Sequence, residues 1–182
     1  MTGLAGKRWL APVLLGLVIA IDHVLARMSF DVIRTGFLDE TAHLATAALV
    51  LLAVGHTRGG LDRAFVVVVL VSACAIDVDH VPSYVDLGGL GATSGRPVTH
   101  SLLLPLVLAA VAAAAPARWR RALLAAALGV ALHLFRDVAS APGIPGLWPL
   151  VSQDVRLPYS VYLGTLAVVT FVATPRQLSS PS

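Results

Sequence analysis

Phe65-Val-Val-Val-Val-Leu-Val-Ser-Ala-Cys74-Ala-Ile76 runs without a charged residue and then meets Asp77-Val-Asp79-His80 within four positions. An apolar run of this kind suits the interior of a bilayer, where a helix satisfies its own backbone polar groups. The abrupt acidic end suits a membrane rim. The span is read as Asp62–Val81, and the same pattern recurs along the chain. Further spans are read at Trp9–Ala26, Glu40–Gly55, Thr99–Ala115, Trp119–Asp137 and Pro158–Ala173.

Composition agrees with that reading. Of 182 residues, 57% are hydrophobic and 13% are charged, with a mean hydropathy of +0.84. A soluble domain is about a quarter charged, and a disordered chain is not this apolar. The expected architecture is all-α, one polytopic membrane domain of about six transmembrane helices over residues 1–173, with a flexible tail at 174–182. No alternating barrel pattern appears. Val24-Leu25-Ala26 resembles a signal-peptide cleavage site, but Asp22 and His23 interrupt the apolar region before it and further spans follow at once.

The single Cys74 removes a disulfide framework and a cysteine-based zinc site. The net charge of +3 is spread in ones and twos between apolar runs, which reads as membrane topology and gives no support to a nucleic-acid partner. The turns at 56–60 and 116–118 are tight, whereas the connections 27–39, 82–98 and 139–157 are long. Basic residues near the tight-turn side and the termini (Lys7, Arg8, Arg58, Arg63, Arg118, Arg120, Arg121, Arg176) outnumber the other five arginines. That bias places both termini in the cytoplasm of an inner, plasma membrane, with the long connections outside.

Nearly all the chemistry-bearing residues gather on the long-connection side. Asp22 and His23 end the first span, and Asp39, Glu40 and His43 open the second. Asp77, Asp79 and His80 end the third, His100 opens the fourth, and His133 and Asp137 end the fifth. Of the histidines, only His56 falls on the other face. Carboxylates and imidazoles at a membrane rim are costly unless paired or bound to something, and so many acids with few cations would repel one another. A bound divalent cation resolves the conflict. Asp39/His43 and His133/Asp137 stand at i, i+4 on one helix face, and Glu40/His43 and Asp77/His80 at i, i+3. Asp79 points elsewhere unless the helix has unwound there, in which case it ligates, supports a ligand or acts as a base. Donors without thiolate suit zinc first, then manganese or iron, and magnesium less well.

Each residue also has a plainer role. His43 and His133 can be hydrogen-bonded packing residues, and Asp39 a helix N-cap with Glu40 in the first turn. Thr99 reads as the N-cap of the fourth helix, making an anion-receiving corner with Arg96. Arg136 faces away from His133 and Asp137 on a helix and suits either substrate binding or anchoring to lipid headgroups. The connection 139–157 is apolar enough to dip as a re-entrant cap, with Trp148 as part of the site or as an interfacial anchor.

Asp77-Val-Asp79-His80, Arg96-Pro-Val-Thr99-His100-Ser101 and His133-Leu-Phe-Arg-Asp137, followed by Gly143 and Leu147-Trp148-Pro149-Leu150, occur in that order. Together with His43 they resemble the YdjM-like family of membrane-bound metal-dependent hydrolases. The resemblance runs from about His43 to Leu150. This chain departs at Pro97, where glycine is usual, at Val81-Pro82, which follows the acidic motif, and at Ser140-Ala-Pro-Gly143, where a threonine would open the segment. These departures leave the ligands intact and touch the substrate contacts. The family is distantly similar to zinc-dependent phospholipase C and single-strand nucleases, which implies phosphoester hydrolysis.

The expectation is a membrane metallohydrolase, a phosphoesterase or pyrophosphatase, acting at the outer face on a lipid or lipid-linked phosphate. His43, Asp77, Asp79, His80, His100, His133 and Asp137 are the expected metal residues, with Asp22 and His23 as possible additional ligands. Arg96 would stabilise the anionic transition state, Asp79 or Glu40 would take a proton, and Thr99, Arg136 and Trp148 would contact substrate. A metal or ion transporter, or a non-catalytic assembly protein with a structural metal, are the alternatives. Transporter sites favour the midplane and broken helices, whereas 44–54, 102–115 and 122–132 lack polar centres.

Overall fold

A computed structural model describes residues 9–80, 96–140 and 142–174. Lys7 and Arg8, the stretch 81–95, Ala141, Arg176 and the expected tail from residue 175 onward lie outside the described residues. Six α-helices are described: α1 (Leu10–Arg27), α2 (Val32–Thr57), α3 (Arg63–Ala75), α4 (Leu103–Ala114), α5 (Ala117–Asp137) and α6 (Tyr159–Ala173). Short 3-10 turns cover Ile76–His80 and Val98–His100. A two-stranded antiparallel ladder, β1 (Ile144–Pro145) with β2 (Asp154–Val155), is the one departure from all-α among the described residues. The chain divides into two compact units, one of residues 1–61 with 164–182 and one of residues 62–163.

In the first unit α1 packs on α2. Ala11, Val18 and Ile21 are its buried stripe, which is the spacing of one helix face. The N-cap of α2 corrects the sequence expectation. Asp31, whose Oδ1 accepts from the Arg34 N–H at 2.9 Å, starts the helix, so Asp39 and Glu40 lie well inside it and the expected long connection 27–39 shrinks to four residues. Gly59 and Gly60 end α2 in left-handed backbone conformations, φ 71° and 129°, that other residues rarely adopt.

In the second unit α5 packs against both α3 and α4. Asp62 caps α3 through Oδ2, which accepts from the Phe65 N–H at 3.2 Å. Gly129 lets α3 and α5 approach closely, since a Cβ there would lie 2.4 Å from the Val69 carbonyl oxygen and 2.8 Å from Ser72 Cβ. Ile76, Val130, Leu134, Val138 and Ile144 form the core beside this contact. The described part of the 139–157 connection, read from the sequence as a re-entrant cap, is built around the ladder. Its Gly146 carbonyl accepts from Leu102 N–H (3.0 Å) and Ser101 Oγ (3.1 Å), and Leu157 N–H donates to Val138 O (2.7 Å). The ladder thus stitches the start of α4 to the end of α5.

Helices α1 and α2 are each long and apolar enough to cross a membrane; α4 and α6 are apolar but shorter. Ile33, Phe37, Val67, Val71, Val168 and Phe171 all point outward from the fold. Apolar surface of that extent is disfavoured in water and suits lipid.

Candidate metal centre

Helix α3 tightens to a 3-10 turn at Ile76, just where the acidic motif begins. Three residues per turn eclipse i and i+3, which brings His80 Nε2 to 3.7 Å from Asp77 Oδ1. The unwinding also redirects Asp79, the alternative the sequence left open. Its Oδ2 lies 3.3 Å from His100 Nδ1.

From α5, His133 and Asp137 project from one face a turn apart, and both are fully buried, as is His100. Asp77 Oδ1 lies 2.9 Å from His100 Nε2 and 3.2 Å from His133 Nε2. Asp137 Oδ2 lies 3.1 Å from His133 Nε2 and 3.6 Å from His100 Nε2. The three imidazoles stack edge to face, His80 to His100 at 4.9 Å and His100 to His133 at 5.3 Å between ring centroids.

These donors fit a divalent cation. His133 Nδ1 is 2.7 Å from the Ala73 carbonyl oxygen; a carbonyl only accepts, so Nδ1 carries the hydrogen and a neutral ring presents a lone pair at Nε2. That lone pair faces two carboxylate oxygens at 3.1 and 3.2 Å, which repels unless a proton or a cation lies among them. Ligands at 2.0–2.1 Å around a tetrahedral ion stand about 3.3 Å apart, and the four nitrogen–oxygen separations of 2.9, 3.1, 3.2 and 3.6 Å straddle that value. Asp77, His80 and His100 also offer ligand atoms within 4.8 Å of one another. The Ala73 carbonyl behind His133 and the Asp79 carboxylate behind His100 are the usual supports that orient histidine ligands.

Arg96 sits otherwise than expected. Its Nη1 donates to Asp137 Oδ2 at 2.9 Å and its Nη2 to Ser140 Oγ at 3.3 Å, so the guanidinium is tied into the cluster and is not an open anion receiver. Thr99 is not a helix cap, because α4 starts later and Ser101 Oγ accepts the Leu103 N–H at 3.2 Å. Arg136 is 4% exposed and therefore does not anchor to headgroups. Trp148 is half-buried between β1 and β2. In the first unit, His43 Nε2 is 3.7 Å from Asp39 Oδ2 on the same helix, with Glu40 beside them. Asp22 is half-buried and His23 exposed on α1.

Sequence reasoning missed the Ala73 carbonyl, which carries no residue signature, and the roles of Ser140 and Ser101. Ser140 stood only as a departure from threonine; its hydroxyl accepts from Arg96 and donates to the Asp137 carbonyl at 3.1 Å.

The family model of the YdjM inner membrane protein matches residues 38–180, a stretch that contains the whole cluster. The chain belongs to that family and is a membrane protein. No curated protein and no solved structure matches it.

Proposed function

We propose that this YdjM-family protein is a metal-dependent hydrolase with six membrane spans, acting on a phosphate ester or pyrophosphate of a lipid or lipid-linked molecule at the outer membrane face. The observation that carries the reading is the knot of Asp77, Asp137, His100 and His133, whose spacing suits one cation. Those four residues would hold the ion, with His80 at its edge. Bound there, a divalent cation supplies a Lewis acid for a phosphoryl oxygen and makes a water acidic enough to act as a nucleophile near pH 7.

The protein's own groups divide the remaining work. Asp79, whose Oδ2 lies 3.3 Å from His100 Nδ1, would orient that ring and accept a proton from the attacking water. Arg96, held by Asp137 and Ser140, fixes a positive charge beside the place where negative charge develops. In the net reaction water adds to phosphorus, the bond to the lipid oxygen breaks, that oxygen gains a proton and phosphate departs. The lipid class of the substrate is supported by the outward apolar faces and the family's membrane residence. Zinc is favoured over manganese or iron because the donors are imidazole and carboxylate.

Elemental analysis of the detergent-purified protein tests this, wild type beside His100→Ala and His133→Ala. Near-stoichiometric metal in the wild type, lost in both variants and accompanied by phosphate release from lipid phosphates, is expected. An ion-free wild type after chelator-free purification and attempted reconstitution overturns it.

A further inference from the structure

Two apolar grooves open on the second unit, and they share a wall. The first, about 340 Å³, lies between α3, α4 and α5, lined by Leu104, Leu108, Ala126 and Val130 and also by Asp79 and Thr99. The second, about 220 Å³, lies between the start of α4 and the ladder loop, along Val107, Trp148 and Pro149, and shares Thr99 and Leu104 with the first. Thr99 Oγ1 is buried and has no hydrogen-bond partner among the described residues. A buried hydroxyl without a partner is costly, and this one belongs to a residue that lines both grooves, the first of them together with Asp79 of the polar cluster, three residues after Arg96.

We infer that the grooves receive the two hydrocarbon chains of a lipid phosphate, with the chain junction at Thr99 and the phosphate toward Arg96 and the cluster. This names the substrate class of the proposed site and rests on the reading that the cluster takes the phosphate. Two apolar sleeves that share the lining residues Thr99 and Leu104 suit two chains joined at one head. A single-chain phosphate leaves one sleeve to bulk lipid. The anionic head lies toward the cation-binding cluster, with the charge of the tied Arg96 guanidinium nearby, and an oxygen at the chain junction gives Thr99 Oγ1 its partner. A ligand site of this kind is mostly apolar with a few placed polar groups.

Trp148 reports occupancy directly. The chain has three tryptophans, so Trp9→Phe with Trp119→Phe leaves Trp148 as the sole tryptophan, excited selectively at wavelengths beyond tyrosine absorption. In phosphatidylcholine nanodiscs, dibrominated-chain phosphatidate should quench Trp148 saturably, at several-fold lower mole fraction than dibrominated phosphatidylcholine. Ala126→Leu, filling the first groove, and Thr99→Val should each weaken that preference while leaving the metal content unchanged. Equal, non-saturating quenching by both lipids means bulk lipid only and overturns the inference. So does a brominated single-chain lysophosphatidate that matches phosphatidate and ignores Ala126→Leu. Because quenching reads contact and not turnover, an ion-free protein with saturable quenching removes the hydrolase reading alone. A fully metal-loaded protein without saturable quenching removes this one alone.

Discussion

The two halves of α5 are one continuous helix in opposite environments. Its first turns carry Arg118, Trp119, Arg120 and Arg121, all exposed, whereas every buried residue of the helix lies from Ala125 onward. At the exposed end Arg121 Nη2 meets Asp62 Oδ2 at 3.6 Å, with side chains 65% and 45% exposed. At the buried end Arg96 meets Asp137 at 2.9 Å, with side chains 14% and 0% exposed. The same kind of ion pair therefore occurs twice on one helix. Solvent screens the first, while the second has surrendered its hydration and depends on its partners. A buried carboxylate is tolerated only where something positive is built against it, and that requirement makes the second end a site.

Removing the positive partner should have the largest effect. Arg96→Ala leaves Asp137 buried beside Asp77 and is expected to destabilise the chelator-treated protein by about 3 kcal/mol, read as a shift in denaturant midpoint in detergent. Metal loading should recover a large part of the loss, since a cation at the knot offsets the same charge. A loss of equal size with and without metal would show that the cation does not neutralise Asp137, and would break the comparison at its buried end.

Next in size is the packing on which the polar end stands. Gly129→Ala puts a methyl group 2.4 Å from Val69 O and 3.0 Å from Ala73 N, so α3 must move, at a cost of about 1–3 kcal/mol. Ala73 also holds His133 Nδ1 through its carbonyl, so metal affinity should fall along with stability. Gly164→Ala on α6, where nothing lies within 4 Å of the added atom, is the control and should be neutral or slightly stabilising. Lost stability with unchanged metal affinity would show that the α3 backbone does not set the histidine.

The same division explains what could be read from the sequence. Helix existence was legible because apolar runs such as 65–76 leave a membrane chain few alternatives. The i, i+4 pair His133/Asp137 was legible because helical spacing alone puts both on one face. The start of α2 was misplaced because Asp39 looks like a cap, and the sequence gives no sign that Asp31 is the one whose side chain meets the helix N-terminus. The orientation of Asp79 depended on a change from α to 3-10 winding, which apolar periodicity does not register. Arg96 was expected to await an anion, and its actual partners, Asp137 and Ser140, stand 41 and 44 residues away. Motif spacing is local, and the cluster is assembled from three separated segments.

The smallest effect belongs to the exposed end. Arg121→Ala removes a pair at 3.6 Å between well-exposed side chains, together with a guanidinium resting 5.9 Å above the Phe65 ring. Exposed ion pairs contribute under about 1 kcal/mol and fade with salt, and an exposed cation–π contact contributes about 0.5–1 kcal/mol. The two share one guanidinium, so the expected destabilisation stays below about 1 kcal/mol, shrinks in high salt and leaves metal content unchanged. Asp62 also caps α3 through the Phe65 N–H, so Asp62→Ala should cost more than Arg121→Ala by the amount of a lost cap, about 1 kcal/mol. If the two substitutions cost the same, the Arg121 pair carries as much as a helix cap, and exposure alone does not separate the two ends of α5.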